Sequence, residues 1–449
     1  MSKRPYKIGM VSLGCPKNQV DAEQILGVLS GKGFEITPRQ DEADVIVVNT
    51  CGFIESAKEE SIDAILEAAK MKKRGRCRAL IVAGCLAQRY KDELAREMPE
   101  ADAIIGTAEI PKVAEICDRV LGKHEHIVTS SPPSLVFGLP RVSTTPRHYR
   151  YLKIAEGCSN RCSYCAIPLI RGNFASRPLD SILDESKRLA DEGTKELVLL
   201  AQDSTQYRDA GVDLPKLLRK LARVRGLTWV RLMYVYPGKV TDELMAVLAD
   251  EEKLCKYLDM PVQHIDDRVL AAMNRRGTAD DIRRTIEKLR KKVPGISLRT
   301  SLITGFPGET EAAFKRLLAF VKEQEFEHLG VFTWSPEEGT PAVDLPGRVP
   351  RAVAEERLDS IMTTQRAISL RKNKALIGTR AVVLVDAVED MALISRMQTQ
   401  APEIDGVVYL SETEARPGEF VKVTITDARE YDLLGEGKKG RRLARQERG

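Results

Sequence analysis

Short apolar runs alternate with amphipathic helical stretches through most of this 449-residue sequence, and this alternation constrains the fold more than any other feature. A strand followed by a helix and a further strand builds a mostly parallel sheet with helices packed on its faces. The alternation occurs in two blocks, which are separated by a segment rich in Ser, Thr and Pro at residues 123–150, typical of a linker. The sequence therefore predicts an α/β protein of more than one domain, as its length also requires.

The first block, residues 1–122, contains four predicted strands with helical segments between them. These strands cover residues 8–13, 45–49, 79–83 and 103–105. The pattern predicts an open, mostly parallel α/β sheet.

The second block, residues 151–350, contains six predicted strands, again separated by helical segments. They cover residues 151–155, 196–200, 229–235, 257–262, 297–304 and 328–334. Six strand–helix units are too few for a closed eight-stranded barrel. This block therefore predicts a partial (β/α)6 barrel.

The remainder of the chain changes character. Residues 351–375 are predicted to form a connecting helix, and residues 376–434 have the short β-branched strands and polar turns of a small all-β barrel. The tail at 435–449 has six basic and two acidic residues, which accounts for +4 of the net charge of +5. The rest is nearly neutral, so a broadly basic nucleic-acid-binding surface is not indicated.

Composition indicates a soluble cytoplasmic protein. Hydrophobic residues make up 43% and charged residues 30% of the chain. No apolar run approaches the roughly 20 residues of a membrane span, and the N-terminus lacks the apolar stretch of a signal peptide. We therefore expect a cytoplasmic location without membrane contact. Nine cysteines are too sparse for a disulfide framework, so clustered thiols are expected to bind metal or to react.

One cysteine cluster has the spacing C-x3-C-x2-C and directly follows a predicted strand. Its members are Cys158, Cys162 and Cys165. Three thiolates this close can hold three irons of a four-iron cluster and leave the fourth iron open for a ligand. The alternative, a structural zinc site, needs a fourth Cys or His nearby, and none follows at ligand spacing.

A second triplet is dispersed in the sequence. Cys15, Cys51 and Cys85 each follow a separate predicted strand of the first block. Ends of parallel strands share one edge of the sheet, where ligands normally bind. These three thiols are thus predicted to converge, although a single buried cysteine is often only a small core residue. Cys77, Cys117 and Cys255 lack such positions and are predicted to be structural.

The C-x3-C-x2-C loop, with Tyr164 before its last cysteine, resembles that of the radical S-adenosylmethionine superfamily. Together with GCPKN at 14–18 and the N-terminal cysteines, nearly the whole chain resembles the methylthiotransferases, whose C-terminal module is called TRAM. RLMYVYP at 231–237, DMPVQH at 259–264 and APEIDG at 401–406 resemble the branch that modifies ribosomal protein S12. One departure is SRM at 395–397, where the family has a Gly-Arg-Thr-like turn.

This resemblance implies two [4Fe-4S] clusters and S-adenosylmethionine as cofactors. Cys158, Cys162 and Cys165 would bind the cluster that cleaves S-adenosylmethionine to a 5′-deoxyadenosyl radical, and Cys15, Cys51 and Cys85 the cluster that carries sulfur. The implied reaction inserts a methylthio group at the β-carbon of an aspartate of ribosomal protein S12. It uses one S-adenosylmethionine as methyl donor and another as radical source, with electrons from a donor protein. The same chemistry on a transfer-RNA adenosine is the alternative.

Further residues are predicted to contact the cofactor. Tyr164 adjoins the cysteine loop, and Gln202, Asp203 and Gln263 lie at the carboxyl ends of barrel strands, where barrels build active sites. His264 is as readily a structural residue as a site residue. The segment 303–309 resembles the adenosine-contacting glycine segment, which adds Gly305, Gly308 and Glu309; without the resemblance it is only a turn.

Two other classes of protein remain open from the residues alone. A non-catalytic iron–sulfur electron carrier would also need the cysteine triplets. An RNA-binding assembly factor would use the β module and the basic tail. Seven basic residues between Arg141 and Arg177, against the single acid Glu156, either border an anionic substrate or form a solvated surface.

Overall fold

Six parallel strands form one sheet at the N-terminal end of the chain in the computed structural model, which describes residues 5–389, 392–411 and 413–437. From edge to edge the strands are Glu35–Ile36, Lys7–Ser12, Val45–Thr50, Ala79–Gly84, Ala103–Ile105 and Ile127–Thr129. The last of these lies inside the segment predicted to be a linker, because a three-residue strand between polar residues leaves almost no pattern in the sequence.

Helices cover both faces of this N-terminal sheet. They are Pro16–Gly31, Glu55–Arg74, Cys85–Arg89, Lys91–Glu97 and Val113–Lys123. Along the central strand, Val45 and Val47 pack into the core on one face, whereas Ile46 and Val48 pack into the core on the other. Burial on both faces explains why this strand is a continuous apolar run without alternation.

The second unit, here called the central barrel, has six parallel strands in chain order. These are Tyr149–Lys153, Glu196–Leu200, Trp229–Leu232, Tyr257–Asp259, Ser297–Thr304 and His328–Thr333. A parallel bridge between Val230 and Leu254 joins the first three strands to the last three. The predicted partial barrel is therefore confirmed.

Helices enclose the central barrel on the outside and fill the space between successive strands. They are Ile167–Arg171, Leu179–Asp191, Leu214–Ala222, Asp242–Asp250, Asp267–Ala272, Ala279–Lys292 and Glu311–Gln324. Two short antiparallel pairs supplement them: Ala155–Glu156 with Ala175–Ser176, and Arg208–Asp209 with Val212–Asp213.

The helix Arg351–Lys374 leads to a closed five-stranded barrel, here called the C-terminal barrel. Its strands are Arg380–Glu389, Ala392–Met397, Val408–Ser411, Phe420–Ala428 and Leu433–Gly437. This agrees with the predicted all-β module, although the last strand extends past residue 434 into the predicted tail. The rest of that tail, 438–449, lies outside the described residues. Of the helices the structure describes, none combines the length and apolar character that crossing a membrane requires.

Buried charges connect the C-terminal barrel to the central barrel. The Glu196 carboxylate lies 2.6 Å from Nε of Arg231 and 2.9 Å from Nη2 of Arg396, and the three side chains are 0–2% exposed. Arg396 also pairs with Asp386 at 2.5 Å. Arg396 belongs to the SRM sequence that departs from the family pattern, and its charge is fully used in this contact between barrels.

Candidate functional site

Both cysteine triplets line the same cavity, which has a volume of about 500 Å³. Cys15, Cys51 and Cys85 follow three neighbouring strands of the N-terminal sheet, at the carboxyl edge. The C-x3-C-x2-C loop follows the first strand of the central barrel and reaches the cavity from the other unit. Two groups of thiols that are far apart in sequence thus face a common space.

Two glycines allow the strand ends of the N-terminal triplet to approach closely. Gly14 has φ +86°, and a Cβ there would lie 2.8 Å from the Cβ of Cys51. Gly84 has φ +99°, and its Cβ would lie 2.5 Å from Oδ1 of Asn49. Any side chain would be strained in this region of φ and would collide besides. The glycine before Cys15 and the one before Cys85 are therefore required by the packing.

Asn18 fastens the same strand ends together. Its Nδ2 donates to the carbonyl of Leu13 at 2.7 Å and to that of Thr50 at 3.2 Å. Nδ2 of Asn49 donates in return to the Asn18 carbonyl at 2.7 Å. Because Leu13 and Thr50 precede Cys15 and Cys51 closely, these bonds fix the spacing of the two thiols.

Arg171 connects the strand ends of the N-terminal triplet to the central barrel. Its guanidinium donates to Sγ of Cys85 at 3.0 Å and to Oδ1 of Asn18 at 3.2 Å. It also pairs with Asp21 at 2.5 Å, and Asp21 pairs with Lys153 at 2.8 Å. All of these side chains are buried. A barrel residue thus holds a cysteine of the N-terminal triplet in place.

The central triplet is held by the loop's own backbone and by the segment after helix Asp267–Ala272. Cys158 N–H donates to the Gly172 carbonyl and Cys165 N–H to that of Cys162, both at 3.1 Å. Ser163 N–H donates to the Met273 carbonyl at 3.0 Å. Nη1 of Arg275 lies 4.0 Å from Sγ of Cys162. A guanidinium therefore accompanies each triplet, as negative thiolates need.

The thiols of both triplets carry protons that a bound metal would have to displace. All six are free cysteines. Burial raises the pKa of Cys51 and of Cys165 to about 12, so these thiols become ligands only when metal displaces the proton. Across residues 5–389, 392–411 and 413–437, no three His, Cys, Asp or Glu side chains meet closely enough to hold one metal ion. In a four-iron cluster each thiolate binds a different iron and the ligands are spaced more widely.

Four of the predicted cofactor-contacting residues line the cavity: Tyr164, Gln202, Asp203 and Gln263. The Tyr164 hydroxyl accepts a hydrogen bond from Nη1 of Arg275 at 3.3 Å. Gln202 donates to Glu156 at 2.7 Å, while its Oε1 is buried without a partner in the described structure. Asp203 Oδ2 accepts from Asn160 at 2.8 Å and from Lys239 at 3.0 Å, so its carboxylate already has partners.

The glycine segment lies differently from the prediction. Ile303 lines the cavity, but Gly305, Gly308 and Glu309 are not among its lining residues. Gly305 has φ +75°, and a Cβ there would lie 2.4 Å from the Cβ of Ala354. Glu309 pairs with Arg357 at 3.3 Å. Gly305 and Glu309 serve the packing of helix Arg351–Lys374, and the contact of all three positions with a cofactor stays a prediction.

Two groups of residues around the triplets turn out to be internal. His264 is fully buried, its Nδ1 accepts from Asp266 N–H at 3.0 Å, and burial lowers its pKa to about 4. Among the seven basic residues from Arg141 to Arg177, only Arg147 and Arg161 are exposed. The others form internal hydrogen bonds and ion pairs, so most of this stretch is not a solvated surface, and Arg171 lines the cavity.

Several cavity residues were not predicted, because their roles depend on contacts between units. Lys17, Arg171, Arg275 and Trp334 carry polar groups into the cavity from both units, and Nε1 of Trp334 is buried without a partner among the described residues. Ile404 comes from the C-terminal barrel. Its loop is held by the hydroxyl of Tyr149, which donates to Glu403 at 2.8 Å. Only the GCPKN motif gave a sequence signal, and it pointed to Lys17 and Asn18 without a role.

The three remaining cysteines should be dispensable for iron binding. Cys77, Cys117 and Cys255 are buried, and none of them lines the cavity. Replacing Cys77 by Ser, Cys117 by Ala or Cys255 by Ala is expected to cost about 0.5–3 kcal/mol of stability through lost packing. Iron and sulfide analysis after anaerobic reconstitution should give the wild-type content. A variant that lost one cluster's iron would show that a triplet was wrongly assigned.

Three family descriptions match successive parts of the chain. Residues 7–106 match the uncharacterized protein family UPF0004, residues 152–321 the radical SAM superfamily, and residues 377–437 the TRAM domain. Among solved structures, the radical S-adenosylmethionine methyltransferase TsrM from Kitasatospora setae, with cobalamin and a [4Fe-4S] cluster bound, gives a TM-score of 0.55. It covers 84% of this chain and 77% of that chain at 14% identity, which establishes likeness of fold alone.

Full-length relatives are much closer in sequence. The ribosomal protein uS12 methylthiotransferase RimO of Geobacter sulfurreducens is 49% identical over 447 residues, covering 97% of this chain and 99% of the relative. The protein of the same name from Anaeromyxobacter sp. is 50% identical over 445 residues, covering 97% and 93%. The chain belongs to the family of ribosomal protein uS12 methylthiotransferases.

Proposed function

We propose that this chain is a radical S-adenosylmethionine methylthiotransferase that acts on ribosomal protein S12. The supporting observation is the single cavity lined by two separate thiol triplets. An electron carrier needs its clusters near the surface but needs no substrate space between them. The full-length relatives bear the uS12 methylthiotransferase name. We infer that the modified atom is the β-carbon of an aspartate.

The residues present fit the two clusters that this reaction needs. Cys158, Cys162 and Cys165 would hold the one that binds S-adenosylmethionine, and Cys15, Cys51 and Cys85 would hold the second. When bound, the first cluster together with S-adenosylmethionine would supply the radical that abstracts a hydrogen atom, and the second would supply a methylated sulfur. The unpartnered Oε1 of Gln202 and Nε1 of Trp334 offer an acceptor and a donor to a polar ligand in the cavity.

The protein itself positions the thiol triplets relative to each other and excludes water from the cavity. Arg171 and Asn18 fix the N-terminal triplet relative to the barrel. The cavity wall includes large apolar side chains, among them Phe53, Phe332 and Ile404. No acid–base residue is assigned, because a hydrogen next to an ionised carboxylate is far too weakly acidic for a side-chain base working near neutral pH. Reduction of the clusters requires an electron donor protein, which we propose as a partner.

The reconstituted enzyme, supplied anaerobically with S-adenosylmethionine, sulfide and a reductant, should modify purified S12. Mass spectrometry of S12 peptides should locate one methylthio group on an aspartate. Bulk transfer RNA in a parallel reaction should remain unmodified. The Cys158→Ala variant serves as the control and should modify neither. Methylthiolated adenosine in the transfer RNA, together with unmodified S12, would contradict the assignment.

A further inference from the structure

Lys17 places a positive charge inside the cavity without a carboxylate in direct contact among the described residues, although Glu156 and Asp259 act on it from a greater distance. It lies in the first turn of helix Pro16–Gly31 and is only 8% exposed. Its Nζ lies 3.4 Å from the centroid of the Tyr234 ring. Throughout the described part of the chain, no carboxylate forms an ion pair with this ammonium. The charge therefore faces the cavity with an aromatic ring as its neighbour.

This arrangement is costly for folding. A buried charge without a counter-ion loses hydration, and a cation in the first turn of a helix opposes the helix dipole. That first turn contains no acidic residue. The Tyr234 ring offsets part of the cost through a cation–π contact. Tyr234 is itself held at φ +59°, an unusual conformation for a tyrosine. A buried charge held in place at such a cost points to a function in ligand binding.

The other cations of the cavity already have partners. Arg171 pairs with Asp21 and Glu156. Arg299 pairs with Asp259 and with Asp405.

Arg275 donates to the Pro261 carbonyl at 2.7 Å and to the Tyr164 hydroxyl at 3.3 Å, beside the central triplet. Arg275 thus has neutral partners beside the central triplet, whereas Lys17 is the cavity cation that follows the N-terminal triplet's Cys15 and has no ion pair with a carboxylate among the described residues.

We propose that the Lys17 ammonium binds the carboxylate of the target aspartate, an inference that rests on the proposed function. The β-carbon is bonded directly to the carboxylate carbon, so a receptor for the carboxylate must lie close to the reacting atoms. Lys17 is two residues after Cys15, and its Nζ contacts Tyr234 of the central barrel. It therefore lies where the units that carry the two triplets meet.

Apolar side chains in the same cavity favour a cationic receptor for a carboxylate. Phe53, Phe332 and Ile404, one from each unit, line the cavity and are 36%, 51% and 42% exposed. A carboxylate that passes such side chains loses water and gains nothing from them. An ammonium returns the lost interaction through charge-assisted hydrogen bonds. An asparagine at the position of the target aspartate is uncharged, so it would gain much less from the ammonium.

The test measures how the enzyme discriminates between a carboxylate and an amide. The aspartate that the wild-type enzyme modifies is first located by mass spectrometry. Two synthetic S12 peptides are then made, one with this aspartate and one with asparagine. Their binding to anaerobically reconstituted full-length enzyme is measured by calorimetry. We expect the wild type to prefer the aspartate peptide by about 30-fold or more, as for other buried charge pairs.

The Lys17→Met variant should bind both peptides with similar affinity and keep wild-type iron content. Lys17→Arg should retain the preference, and Lys32→Met, at the exposed end of the same helix, should behave as wild type. A Lys17→Met enzyme that still prefers the aspartate peptide would overturn the inference. Loss of iron in this variant would overturn it too, because Lys17 would then serve the cluster. Failure of the wild type to modify S12 would instead refute the proposed function itself.

Discussion

Replacing Cys158, Cys162 and Cys165 together by alanine is expected to abolish cleavage of S-adenosylmethionine and to leave about four irons per chain, since each four-iron cluster is separate. The N-terminal triplet should still assemble its cluster, because its thiols are fixed by their own strand ends and by Asn18. Iron and sulfide analysis and chromatography of 5′-deoxyadenosine would measure both effects.

The converse variant, which lacks the N-terminal triplet, separates cleavage of S-adenosylmethionine from transfer of sulfur. Replacing Cys15, Cys51 and Cys85 by alanine should also leave about four irons, but formation of 5′-deoxyadenosine should continue. Transfer of sulfur to S12 should be lost completely. Retention of full iron content and methylthiolation in this second variant would show that the three strand ends do not bind a cluster.

Much of the fold could be predicted because buried parallel strands leave an unambiguous pattern. The strand Val45–Thr50 is apolar on both faces and was predicted to within one residue. The edge strands Glu35–Ile36 and Ile127–Thr129 were missed. Strands of two or three residues form because they pair with the backbone of a neighbouring strand, so their own side chains give little sign of them in the sequence.

The thiol positions could also be predicted, since each cysteine's place is set locally by the strand before it. Contacts between the units could not be predicted from the sequence. Arg171 reaches Cys85 only because the central barrel packs against the N-terminal sheet. Ile404 lines the same cavity although it belongs to the C-terminal barrel and lies far from both triplets in the sequence. The glycine segment has a second explanation that the sequence did not offer: Gly305 approaches Ala354 closely, while its predicted contact with a cofactor stays a prediction.

The second large effect is expected at Glu196, between the two barrels. Its carboxylate is fully buried between Arg231 and Arg396. Glu196→Gln would leave Arg231 as a buried cation without a counter-ion, while Arg396 would keep Asp386. Breaking a buried pair in this way costs about 3–5 kcal/mol. Chemical denaturation at neutral pH should show this loss in the free energy of unfolding.

The pH dependence of this loss identifies its cause. Burial opposes ionisation of Glu196, but the charges of Arg231 and Arg396 outweigh it and lower its pKa. A carboxyl group with a lowered pKa contributes stability above its unfolded pKa, about 4.3, and loses it as pH falls through the folded value. The difference between wild type and Glu196→Gln should therefore be constant from about pH 8 to 5 and shrink only in more acidic solution.

A matched control uses the exposed pair of Arg219 and Glu243, 3.0 Å apart, whose side chains are 43% and 46% exposed. Glu243→Gln should change stability by less than about 1 kcal/mol, because water already solvates both charges. An equally small effect at Glu196 would mean that the contact between the barrels does not depend on its buried charges. In that case the position of Ile404 in the cavity would have to be maintained by the tyrosine hydrogen bonds to Glu403 and by the contacts of Asp405 with Arg299 and Tyr257.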